Sequence, residues 1–85
     1  MVSFQYVVKD EQGIHARPAG LLVKAIAGLS SKVTIKKGEK AANGKMILAV
    51  MSLSVKCGEE ITVEVEGDNA EADAATVKTF LEENL

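Results

Sequence analysis

The chain has 85 residues, room for one hydrophobic core, so residues 1–85 are read as a single domain. A hydrophobic fraction of 47% with 26% charged residues excludes a disordered chain. The net charge of −2, from 10 basic and 12 acidic residues, lacks the basic excess of a nucleic-acid binder. One cysteine and one histidine leave no internal disulfide and no structural metal set.

No stretch approaches the roughly 18 apolar residues of a membrane span. The opening "MVSFQYVVKD" has neither the basic region nor the long apolar segment of a signal peptide. With the unpaired Cys57, these features point to a reducing cytoplasm.

Val2, Phe4, Tyr6 and Val8 alternate with Ser3, Gln5 and Val7, the two-residue period of a half-buried strand. "KDEQG" breaks that pattern. From Ala16, the residues Ala19, Leu22, Val23 and Ile26 recur at helical spacing, and Gly28 stands near the end. Val33 and Ile35 between Lys32, Thr34 and Lys36 predict a second strand, "KKGEK" a turn, and Lys40–Ala42 a short third strand.

Met46 to Leu53, "MILAVMSL", is nearly all apolar, and period alone leaves it open between short helix and buried strand. Its Met, Leu and Ala residues favour helix. Ile61, Val63 and Val65 alternate with Glu60, Thr62, Glu64 and Glu66 in the clearest strand of the chain. Asp68 with Glu71 resembles a capping box, opening a last helix whose inner face is Ala70, Ala74, Val77 and Leu81 with Phe80 beside them. The order βαββαβα, with alternating strands and amphipathic helices, predicts an α+β sandwich whose sheet, antiparallel or mixed, is covered on one face by helices.

"GIHARPAG", Gly13 to Gly20, holds the only histidine, arginine and proline of the chain. A lone histidine is most often a surface residue or a cap; its neighbours change that reading. His15 falls where a helix begins, next to free N–H groups and the positive end of the macrodipole. Pro18 suits a first turn, where its missing N–H has no partner to lose. Arg17 is electrostatically misplaced at a helix start unless an anion joins it, and its fork suits phosphate oxygens. The imidazole itself offers a nitrogen nucleophile. Gly20 removes bulk one turn along.

The rest of the inventory does not support hydrolysis. Cys57 has no following arginine, no second histidine can act as acid, and "NGKM" is not a phosphate-cradling loop. The carboxylates Asp10-Glu11 and Glu59-Glu60 lie in turns and read as solvated surface. Accepting and passing on a phosphoryl group fits; completing its hydrolysis does not. The chain reads as a carrier without independent turnover and without a cofactor. Met46–Leu53 has more apolar positions than a two-turn helix can bury, so it is either an unusually buried segment or a docking patch. Lys24 and Lys45 add steering charge if they flank such a patch.

In these residues the chain resembles the HPr family, histidine-containing phosphocarriers of the bacterial phosphoenolpyruvate-dependent sugar phosphotransferase system. "GIHARPAG" matches the family's phosphorylation-site signature, and the likeness extends over the "GK…VMSL" segment and "VEGDNAEADA". The resemblance implies an HPr-like open-faced sandwich of four antiparallel strands with three helices on one face. It implies that His15 takes a phosphoryl group on Nδ1 from phosphorylated enzyme I and gives it to the enzyme IIA domain of a sugar permease. Arg17 and the amides of Ala16 and Arg17 would hold the phosphate. The partner surface would comprise Ala16, Arg17, Gly20, Leu21, Lys24, Ile47, Leu48 and Met51, with a monomer the default for a transient carrier.

Two positions depart from the family pattern. Many Gram-positive members carry a kinase-regulated serine where this chain has Met46, so that control is lost at this position; no motif moves it to Ser52 or Ser54. Ser54 stands where glycine is common, a change expected to have no functional consequence. The nitrogen-related branch of the phosphorelay would use the same chemistry with other partners, and a purely regulatory binding module on this fold is the reading from another class.

Overall fold

The computed structural model describes residues 1–85. In chain order its elements are β1 (Val2–Val7), α1 (Ala16–Ala27), β2 (Lys32–Lys37), β3 (Lys40–Asn43), α2 (Ile47–Ser52), β4 (Glu60–Glu66) and α3 (Ala70–Asn84). The strands form a single antiparallel sheet in the order β1-β4-β2-β3. This is the α+β open-faced sandwich, in the order βαββαβα, that the alternation and the family resemblance led us to expect. "MILAVMSL" resolves as the helix α2.

Register explains why one face of the sheet is dry. Phe4 pairs with Val63, which pairs with Ile35, and Val2 pairs with Val65, which pairs with Val33. These rows point to the helices, where Ala19, Leu22, Ile26, Val50, Ala74, Val77 and Leu81 complete one core cluster with them. The residues between them form the other face, where Gln5 pairs with Thr62 and Ser3 with Glu64. Lys36 Nζ lies 3.1 Å from Glu64 Oε2 there, a half-exposed ion pair worth about 0.5 kcal/mol. Burial, with Glu82 nearby, pushes the Tyr6 hydroxyl pKa up; the Lys37 hydrogen bond and the Lys56 amide hold Glu59 below the usual carboxylate range.

The start of α3 departs from the sequence reading. Its N-cap is Asn69, one residue beyond Asp68, and no side chain caps it. The Asn69 amide donates instead to Asp73 Oδ1 at 3.3 Å. Asp73, buried on the inner side of α3, accepts the Ser31 N–H at 3.1 Å and the Ser31 hydroxyl at 2.5 Å on its other oxygen. Asp73 thus ties the first turns of α3 to Ser31. Ser54 is the one non-glycine residue with positive φ, at 52°, which accounts for a preference for glycine at that place.

Candidate functional site

The backbone between β1 and α1 is clamped at both ends before it presents a histidine. Lys9 and Asp10 donate their N–H groups to the Leu85 carbonyl at the end of α3, at 2.5 and 2.8 Å. Gly13 adopts φ +67°, and a Cβ on it would lie 2.1 Å from the Val55 carbonyl oxygen; only glycine fits this approach. Ile14 then donates its N–H to that same carbonyl at 3.0 Å and buries its side chain. His15 follows as the N-cap of α1, in extended conformation, and its side chain makes no capping hydrogen bond.

The imidazole is therefore left for other work. Its Nε2 lies 3.6 Å from Asp10 Oδ1, with the two side chains 36% and 30% exposed; Nδ1 has no protein partner. The Ala16 and Arg17 N–H groups lie in the first turn, where an α-helix leaves donors unsatisfied. Pro18 has no N–H, and the Ala19 N–H reaches the His15 carbonyl at 2.9 Å. The first turn of α1 carries no acidic residue, and Arg17 is exposed and takes part in none of the ion pairs. Two open amides, the positive helix end and an unpaired guanidinium form an anion-receptive corner beside the ring.

A depression of about 190 Å³ at this corner is lined by Asp10, His15, Arg17, Pro18, Leu21 and Asn84. The structure places His15 and Arg17 in this depression, with Ala16 between them in the chain and outside its lining, and adds Asp10 and Asn84, which the sequence reading did not single out. Asp10 had the appearance of a solvated turn carboxylate; it turns back onto the ring. Asn84 lies far along the chain, and no local pattern marks it. Cys57 is exposed, with its Sγ 3.7 Å from the Lys9 carbonyl.

Beside this corner lies an apolar surface. Leu21, Met46, Ile47 and Leu48 are 49%, 57%, 38% and 79% exposed, while Val50 and Leu53 of the same run are buried and Met51 is half-buried. One stripe of the run therefore enters the core and the other faces solvent. Gly20 faces α2, since a Cβ on it would meet Ile47 Cδ1 at 3.6 Å; the surface that comes close there belongs to this chain. Lys24 is exposed in the last turn of α1. Lys45 Nζ reaches the Leu29 carbonyl just beyond α1, at 3.2 Å. Met46 is the N-cap of α2 and supplies no side-chain capping bond.

Fold and site together define a class: a small open-faced sandwich with a histidine at an anion-receptive helix start. The family model described as the PTS HPr component phosphorylation site matches residues 2–83. The phosphocarrier protein HPr of Mycoplasma capricolum is 38% identical over 78 residues, 92% of this chain and 88% of that protein. HPr of Lysinibacillus sphaericus is 41% identical over 83 residues, 98% of this chain and 94% of the relative. Among solved structures, HPr from Thermoanaerobacter tengcongensis superposes with a TM-score of 0.93 at 32% identity, covering 99% of this chain and 94% of that one. The chain belongs to the HPr family, phosphocarrier proteins of the phosphotransferase system. An HPr dimer from the same Thermoanaerobacter species matches with a TM-score of 0.77 at 33% identity over 92% of this chain and 90% of that one, so family membership does not carry the monomer expectation.

Proposed function

We propose that this chain accepts a phosphoryl group on His15 from phosphorylated enzyme I and donates it to the enzyme IIA domains of sugar permeases. The observation that carries this reading is the unpaired His15 Nδ1 beside the first turn of α1 and the unpaired Arg17. In each transfer the phosphorus–nitrogen bond to the donor histidine breaks as one to the acceptor histidine forms. The protein's part is positioning and charge stabilisation, the usual sources of rate in phosphoryl transfer. Arg17 and the first-turn amides of Ala16 and Arg17 meet the phosphoryl oxygens.

The docking surface is Ala16, Arg17, Gly20, Leu21 and Lys24 of α1 with Ile47, Leu48 and Met51 of α2. Its exposed apolar centre at Leu21, Ile47 and Leu48 suits brief contact with several partners. With Met46 in place of serine, kinase control at the start of α2 is absent. No helix is long and apolar enough to cross a membrane, and the proposed partners place the chain in the cytoplasm, as a monomer during transfer.

The test is incubation with phosphoenolpyruvate and either a sugar-branch or a nitrogen-branch enzyme I, followed by intact mass and phosphosite mapping. One phosphoryl group on His15 is expected, with the faster enzyme I identifying the branch, and no label on His15→Ala. Full, acid-labile labelling of His15→Ala would falsify the assignment. Arg17→Glu is expected to slow transfer while leaving the unfolding midpoint nearly unchanged.

A further inference from the structure

Asp10 is held in place before it meets the site. Its N–H donates to the Leu85 carbonyl at 2.8 Å and its own carbonyl accepts the Gly13 N–H at 2.9 Å. Its Oδ1 accepts the Gln12 N–H at 2.9 Å. That same oxygen faces His15 Nε2 at 3.6 Å, too far for a hydrogen bond and close enough for its charge to act.

A neutral imidazole carries one N–H and one lone pair, and an anion beside one nitrogen keeps the proton there. Asp10 favours the ring with hydrogen on Nε2 and the lone pair on Nδ1. Its negative charge also repels a phosphoryl dianion from the Nε2 edge. After Nδ1 has attacked phosphorus, the ring is cationic through Nε2–H, and the Asp10 carboxylate faces that charge. The other charged residue lining the depression is Arg17 on α1; Asn84, from α3, is neutral. Arg17 attracts phosphoryl oxygens but does not address the Nε2 edge, whereas Asp10 does.

Resting on the reading of His15 as phosphoryl acceptor, we infer that Asp10 is a positioning residue that selects Nδ1 over Nε2 as the nitrogen phosphorylated. Phosphoramidate tests this without enzyme I: its phosphorus–nitrogen bond breaks as the bond to the ring forms, ammonia leaves, and the ring keeps its other proton. Phosphorus and nitrogen NMR distinguish the two phosphohistidine isomers. The Nδ1 isomer is expected to dominate in the unmodified sequence. Asp10→Ser keeps an acceptor for the Gln12 amide but is too short to face the ring; Asp10→Ala removes both.

In both variants the Nδ1-to-Nε2 ratio is expected to fall about twofold to fivefold, the range a half-exposed charge contact supports. An unchanged ratio in Asp10→Ser, or a dominant Nε2 isomer in the unmodified protein, overturns the assignment. Should either variant fail to fold, ring-nitrogen NMR of the unmodified protein at neutral pH decides: a neutral ring more confined to the Nε2–H form than that of a free histidine peptide supports the role, and one no more confined, or with its proton on Nδ1, refutes it. Failure of enzyme I to label His15 would remove the carrier reading and leave the isomer ratio to judge Asp10 by itself.

Discussion

Replacing Gly13 by alanine tests how far the backbone builds the site. Gly13 has φ +67°, where a residue bearing a Cβ loses about 1–2 kcal/mol. The added carbon would lie 2.1 Å from the Val55 carbonyl oxygen and 2.7 Å from Lys56 Cα. Both are backbone atoms, so the loop itself must move. The neighbouring hydrogen bond from the Ile14 N–H to the Val55 carbonyl, 3.0 Å long, breaks first as the loop moves, and its rupture adds about 1 kcal/mol. A total loss near 3 kcal/mol is expected, a large share of the roughly 4–13 kcal/mol that a domain of this size commands. Gly38→Ala is the matched control, with φ +59° and nothing within 4 Å of the added carbon; it carries only the conformational cost, about 1 kcal/mol. Urea unfolding followed by circular dichroism measures both, and each kcal/mol should lower Tm by about 4–8 °C. Phosphorylation of the folded Gly13→Ala protein should also slow, because His15 stands two residues beyond the displaced point. If Gly13→Ala is no less stable than Gly38→Ala, the close approach to Val55 is not a constraint and the reasoning fails.

Asp73→Ala strands the buried Ser31 donors and is expected to cost about 3 kcal/mol by urea unfolding; a loss under about 1 kcal/mol would show that water or another acceptor replaces the carboxylate. Ser54→Gly relieves a left-handed backbone at φ 52° and is expected to gain about 0.5–1 kcal/mol, less the added freedom of the unfolded chain. Phosphorylation of that variant should be unchanged, and a drop in stability would refute the strain at Ser54.

The parts of this fold that were legible in the chain are those set by near neighbours. Alternation in Val2–Val8 and in Glu60–Glu66 is visible residue by residue, because a strand buries every second side chain whatever it packs against. The rarity of His15, Arg17 and Pro18 at a helix start was legible for the same reason: free amides and a macrodipole are properties of the helix itself. Periodicity could not divide "MILAVMSL" into buried Val50 and Leu53 and exposed Met46, Ile47 and Leu48, since a short apolar run has no contrast to read. The capping box placed the start of α3 one residue early, and no local pattern marked the contact of Asp73 with Ser31, 42 residues away. Asn84 joins Asp10 and His15 in one depression where the end of α3 receives the Lys9 and Asp10 amides at the Leu85 carbonyl. Spacing along the chain carries local conformation, but which distant groups share one corner is decided when the helices close over the sheet.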